Sequence, residues 1–304
     1  MDLITLDFET YYSKDFSLSK LTTEEYIRDP QFEVIGVAVK VNNGYTEWAS
    51  GTHEELKEYF DGFNWANSMV LAHNTIFDGA ILSWLFDIRP RVWADTLCIA
   101  RAVHGVEAGG SLKALAERYD IGEKGTEVLD AMHKRRADFT EEELDRYGDY
   151  CINDVELTYK LFGIMSKNFP RHELKVIDAT LRMFIHPMLD LDVGLLEQHL
   201  EDIKDRKDEL MVKAGITDKK QLMSGDKFAQ LLIDLHVIPP TKISPTTGKV
   251  VYAFAKTDEA FQELAEHWNL DVQALVAARL GNKSTLEETR TQRFIDISKR
   301  GILP

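Results

Sequence analysis

Two patterns of apolar and polar residues share this chain. Up to about residue 100 the apolar runs are short, rich in β-branched residues and bounded by Gly, Asn or Pro, as strands are. Residues 3–10 predict a first strand and residues 34–39 a second, with residues 45–48, beyond Asn42-Asn43-Gly44, as its hairpin partner. Residues 69–72 and 92–94 predict two more. Helical spacing appears at residues 78–86 and 96–103, and Thr52-His53-Glu54-Glu55 has the form of a capping box opening a helix to about residue 60. Residues 11–30 show no period and predict irregular chain. A second capping box, Thr140-Glu141-Glu142-Glu143, starts a helix whose apolar face runs through Leu144, Tyr147, Tyr150, Cys151, Leu157 and Leu161 to about residue 166. A strand meander followed by strands alternating with helices predicts an α/β fold, a mixed sheet flanked by helices.

After Pro170 the period is helical nearly throughout: residues 174–185, stopped at Pro187, then 193–213 and 226–235. Pro239-Pro240 and residues 245–248 predict a loop, followed by helices near 258–267, 271–280 and 284–300. The domain boundary is expected near residues 168–190, with an α/β domain at 1–170 and a mainly α-helical region at 171–304. There are no internal repeats and no low-complexity tract.

At 304 residues, 44% of them hydrophobic, the chain has material for two packed cores. No apolar run approaches a membrane span, and Asp2 and Asp7 stand where a signal peptide would be basic or apolar, so a cytoplasmic protein is expected. The two cysteines, Cys98 and Cys151, stand singly and predict small core residues rather than a disulfide or zinc site. A net charge of −15 argues against a general polyanion binder, whose affinity rests on Lys and Arg. It leaves open an enzyme that holds a phosphodiester through metal ions on its own carboxylates, with basic residues confined to one face.

Three pairs of residues bear on that option. Asp7 and Glu9, at i and i+2 of the first strand, project from one face. Carboxylates this close repel each other, and an oxygen-seeking divalent cation such as Mg²⁺ or Mn²⁺ relieves the repulsion. Asn74 and Asp78 follow the strand at 69–72, with Asp78 at the opening of the next helix; alone, it reads as a plain helix N-cap. Tyr150 and Asp154 are four apart on the long helix and share a face.

Taken together, in this order and on these elements, the three pairs resemble the motifs of the DnaQ-like (DEDD) 3′-5′ exonucleases, which have a ribonuclease H-like fold. The histidine of one subclass would stand five residues before Asp154, where this chain has Asp149, so Tyr150 aligns it with the tyrosine (DEDDy) subclass. The resemblance implies a two-ion site for Mg²⁺ or Mn²⁺, with ions about 3.5–4 Å apart. Asp7 would bridge the ions, Glu9 and Asp154 would complete the first, and Asp78 would hold the second through water. Tyr150, whose ordinary pKa near 10 makes it a poor base at neutral pH, would orient the attacking water. Asn74 would position Asp78 or the substrate, Thr10 would be a further substrate contact, and Tyr11, Tyr12 and Phe77 flank the motifs where terminal bases could stack, with core packing an equally good reading of Phe77.

In the second half, Met223-Ser224-Gly225-Asp226-Lys227, residues 240–249 and residues 283–290 resemble the region joining exonuclease to palm in bacteriophage family A DNA polymerases, a region that includes the thumb. This implies a proofreading exonuclease with a thumb-like region, acting on single-stranded DNA 3′ ends and primer-template DNA. Lys242, Lys249, Lys283, Arg290 and Arg293 would be phosphate contacts. Palm and fingers motifs are absent from these residues, so a polymerase module is expected in a longer chain or a separate subunit, and no polymerase activity from this chain alone. For a phage protein the compartment would be the host cytoplasm. Two alternatives stay open: a stand-alone exoribonuclease of the same chemistry, and a DNA-binding module with a relic nuclease site.

Overall fold

The computed structural model describes residues 1–125 and 131–304. They form two compact units, residues 1–188 with residue 304, and residues 189–303.

The first unit is built on a five-stranded sheet. In chain order its elements are β1 (Asp2–Thr10), α1 (Thr23–Arg28), β2 (Val34–Val41), β3 (Thr46–Ala49), α2 (His53–Asp61), β4 (Ser68–Ala72), α3 (Thr75–Leu85), β5 (Val92–Asp95), α4 (Thr96–His104), α5 (Leu112–Tyr119), α6 (Glu141–Met165) and α7 (Arg171–Ile185). The strand order is β3-β2-β1-β4-β5. The first three strands pair antiparallel as a meander, while β4 and β5 lie parallel, as strands joined through a crossover helix must. This is the ribonuclease H-like mixed sheet.

Strand alternation gives the sheet two different faces. Ile4, Leu6 and Phe8 of β1, with Val37 and Val39 of β2, pack into the main core under residues of α2, α3 and α7. The opposite face carries Thr5, Asp7 and Glu9, and there Ala38 of β2 packs against Cys151 and Val155 of α6. Opposite Glu9 and Thr10 the pairing steps from Gly36 to Val34, leaving Ile35 as the extra residue of a bulge. Ile35 thereby packs with Tyr147 and Tyr150 of α6. The helix comes close because Gly148 has no side chain: a Cβ there would stand 2.6 Å from the Trp48 indole.

Both capping boxes at Thr52 and Thr140 are formed, and a third, from Thr22 to Glu25, starts α1 inside the stretch expected to be irregular. Helix α5 lies in a stretch for which no element was expected. The two units divide at residue 188, within the range 168–190 but beyond residue 170, because α7 completes the first unit. Leu181 and Ile185 of α7 are buried in its core, Asp178 accepts from Trp93 N at 2.7 Å, and Arg182 donates to Arg91 O at 2.7 Å. A Cβ at Gly79 of α3 would come within 2.4 Å of Ile185, so glycine permits this packing one residue after Asp78.

The second unit is helical: α8 (Val193–Lys213), α9 (Lys219–Met223), α10 (Gly225–Asp234), α11 (Glu259–Glu263), α12 (Leu270–Lys283) and α13 (Leu286–Ser298), with a hairpin of β6 (Thr241–Ile243) and β7 (Val250–Tyr252). The hairpin lies where a loop was expected. Phe228, Phe254 and Phe261 centre its core. Arg279 is only 3% exposed, its guanidinium 4.4 Å from the Phe228 ring and donating to the carbonyls of Leu222 and Ser224. Among the described residues, no helix is long and apolar enough to cross a membrane.

Candidate active site

Asp7 and Glu9 project from the β1 face that α6 covers, and Tyr147, Tyr150, Cys151 and Asp154 line the facing side of that helix, spaced three, one and three residues apart. The two elements are joined by side-chain contacts. Tyr147 donates its hydroxyl to Glu9 Oε2 at 2.5 Å, and Cys151 Sγ donates to the Asp7 carbonyl at 3.2 Å. Ligand atoms of Asp7, Glu9 and Cys151 lie within 4.8 Å of one another.

Asp78 reaches the same place from α3. Its Oδ1 accepts from Phe8 N at 3.0 Å, so the backbone between Asp7 and Glu9 holds it. The turn before it is also fixed. Asn74, the N-cap of α3, takes a left-handed backbone (φ 77°) that asparagine tolerates, and its side chain makes no capping bond. Asn74 N and Thr75 N both donate to the Asp95 carboxylate at 3.1 Å, and that carboxylate also caps α4. Asp78 is thus not the N-cap that it could have been from sequence; it sits in the first turn, aimed at β1.

Asp154 completes the group and pairs with the Lys124 ammonium, which lies 5.2 Å from the centre of the Tyr150 ring. Glu9, Asp78 and Asp154 are buried and Asp7 is half-buried. Loss of water around Asp7, then the charge of Asp154, pushes its pKa from 3.8 up to about 7. Burial, then repulsion from Asp7, raises Glu9 and Asp78 well above the usual carboxylate range. Burial would lower Lys124, but Asp154 overrides it and the ammonium is held charged. Burial, then Asp154, raises Tyr150, which therefore stays a neutral phenol. Cys151 is buried as expected of a core residue, yet it also faces the carboxylates; burial and then the Asp7 charge push its thiol pKa well up, and its Sγ donates to the Asp7 carbonyl. Oxygen-rich, buried and mutually repelling acids fit hard divalent ions such as Mg²⁺ or Mn²⁺.

Residues 22–170 match the 3′-5′ exonuclease family. That stretch contains Asn74, Asp78, Tyr150 and Asp154, while Asp7 and Glu9 precede it. No curated protein matches the chain. Similar solved structures include Trypanosoma brucei RNase D (14% identity, TM-score 0.47, 59% of this chain and 64% of that one). Brucella melitensis NrnC is 15% identical (TM-score 0.42, 59% of this chain and 80% of that one). The POL domain of Pol1 from M. smegmatis, in complex with DNA primer-template and dNTP, is 15% identical (TM-score 0.44, 97% of this chain and 46% of that one).

Around these carboxylates, the other expected residues are placed as follows. Thr10 is buried, its hydroxyl 2.9 Å from the Tyr26 hydroxyl. Tyr11 is half-buried under the Arg135 guanidinium, 4.2 Å from its ring centre. Phe77 packs against the main core beside Tyr26, and Tyr12 against the Tyr147 and Tyr150 cluster. Lys242, Lys249, Arg290 and Arg293 are exposed residues of the second unit, Lys242 paired with Asp258 at 2.5 Å. Sequence reasoning missed Lys124, Tyr147 and Asp95 as members of the site. Tyr147 had a signal, its position one turn before Tyr150; Lys124 and Asp95 had none.

Proposed function

We propose that this chain hydrolyses DNA from the 3′ end, with Asp7, Glu9, Asp78 and Asp154 holding two Mg²⁺ or Mn²⁺ ions, as the proofreading part of a family A DNA polymerase of the bacteriophage type. The observation that carries this reading is the convergence of four acids from β1, α3 and α6 in one water-poor cluster, where burial and then the charge of Asp154 raise Asp7 to about 7. Such repulsion is what bound divalent ions remove. When bound, the ions would acidify a water and stabilise charge on the leaving 3′ oxygen.

The protein's own groups do the rest. The Tyr150 phenol, neutral at physiological pH, donates a hydrogen bond that orients the water rather than taking its proton. Tyr147 holds Glu9, and Phe8 N holds Asp78. Asn74, Thr10, Tyr11 and Phe77 border the strand's last nucleotides, and Lys242, Lys249, Arg290 and Arg293 meet duplex phosphates. A 5′-labelled oligonucleotide tests the proposal, as DNA and as RNA, single-stranded and paired, in Mg²⁺ and in EDTA. Single-stranded DNA should shorten stepwise from its 3′ end, faster than paired DNA and faster than RNA, and only with metal. Cleavage from the 5′ end, or cleavage undiminished by EDTA, would overturn the proposal; a preference for RNA would replace proofreading by RNA degradation.

A further inference from the structure

Asp154 has a side chain only 4% exposed, and it forms an ion pair with Lys124. Lys124 comes from residues 121–125, which form neither helix nor strand, and its own side chain is 28% exposed. The ammonium reaches beyond its partner: it offsets part of the repulsion felt by Asp7 and Glu9. It thus acts as a tethered monovalent cation at one edge of a cluster suited to divalent ions.

Charge counting shows what metal entry does to it. Four ionised carboxylates carry four negative charges, and two divalent ions cancel them, so the Lys124 charge becomes surplus and is repelled. Lys124 also has somewhere to go, a cavity of about 700 Å³ that it lines together with Asn74, Arg101 and Lys113. The cations already there favour an anion as the next partner, and a phosphodiester of the strand has the matching charge. We propose that Lys124 is an exchangeable counter-ion that holds Asp154 until a divalent ion takes its place, and that this competition sets how much Mg²⁺ or Mn²⁺ the site requires. The inference rests on Asp154 being a metal ligand, as proposed above.

The test is the Mn²⁺ dissociation constant of the full chain, read by electron paramagnetic resonance of free Mn²⁺ and by calorimetry, for the wild type, Lys124→Met, Lys124→Arg and Asp154→Ala. Lys124→Met should bind Mn²⁺ roughly thirtyfold more tightly, since removing one unit charge about 4 Å from a divalent ion is worth about that factor even at the dielectric of water. The metal concentration giving half-maximal cleavage should fall with it. Lys124→Arg, which keeps the charge, should stay near the wild type. An ion pair that merely braces residues 121–125 gives the opposite sign, weaker metal binding once it is lost. Affinity unchanged or weakened in a folded Lys124→Met overturns the inference; should that variant fail to fold, Lys124→Gln carries the same expectation. If the wild type binds Mn²⁺ through Asp154 and Lys124→Met gains nothing, this inference alone fails. If the wild type binds no Mn²⁺, the metal-site reading fails with it.

Discussion

In the metal-free protein, raising the pH should weaken the fold, and Asp7 sets the size of the effect. Its pKa stands at about 7 in the folded chain against an ordinary 3.8. For an acid raised on folding, stability is full below the unfolded value and is lost as pH climbs through the folded value. At about 1.36 kcal/mol per pKa unit, Asp7 should cost roughly 4 kcal/mol between pH 4 and pH 7 and no more above that. Glu9 and Asp78 are raised as well and extend the loss to higher pH. His73 and His186 are lowered by burial, so their contribution is lost as pH falls and runs the other way. Comparing the wild type with Asp7→Asn cancels the histidines. The assay is denaturant unfolding from pH 4 to 8 in EDTA and again in excess Mg²⁺. In EDTA the wild type should lose several kcal/mol relative to Asp7→Asn, and Mg²⁺, which binds the ionised form, should reverse the trend. A difference between the two proteins that stays flat with pH, or wild-type stability that rises relative to Asp7→Asn, would refute the electrostatic account of the cluster.

Other outcomes follow from the same geometry. Asp154→Ala should cut the cleavage rate by several orders of magnitude, while Tyr150→Phe, which removes one orienting donor, should cost roughly a hundredfold with metal affinity intact; steady-state cleavage and Mn²⁺ titration separate the two. Tyr147→Phe strips Glu9 of its donor and should weaken Mn²⁺ binding roughly tenfold or more, as loss of a ligand's hydrogen-bond partner does, with unchanged affinity counting against it. Gly148→Val forces a side chain against Trp48 and should destabilise the first unit by about 1–3 kcal/mol in urea unfolding, whereas wild-type stability would show that α6 can stand further off the sheet.

Where local rules decide a segment, the sequence was enough. The helix expected at residues 193–213 is α8 to the residue, and the capping boxes at Thr52 and Thr140 mark true helix starts. Failures come where tertiary packing decides. Pro170 reads as a break in sequence, yet it caps the start of α7, which returns to cover Trp93 and Gly79. The β6–β7 hairpin is exposed on both strands, so no burial pattern announced it. Residue pairs two or four apart were visible because strand and helix periods set them close together, and the fold brings Asp7, Glu9, Asp78, Tyr150 and Asp154 to one place. Lys124 was invisible because its partner lies 30 positions away, and Tyr147 looked like a core aromatic because its acceptor, Glu9, is 138 positions distant.

In the proposed reaction, the carboxylates of β1, α3 and α6 hold the metal ions that cut the terminal phosphodiester. Release of a radiolabelled 3′-terminal nucleotide from single-stranded DNA, compared for the wild type and Asp7→Ala in Mg²⁺ and in EDTA, tests it most directly. Labelled mononucleotide should appear with the wild type in Mg²⁺ and essentially none with the other three combinations. Equal release by Asp7→Ala, or by the wild type in EDTA, would contradict it.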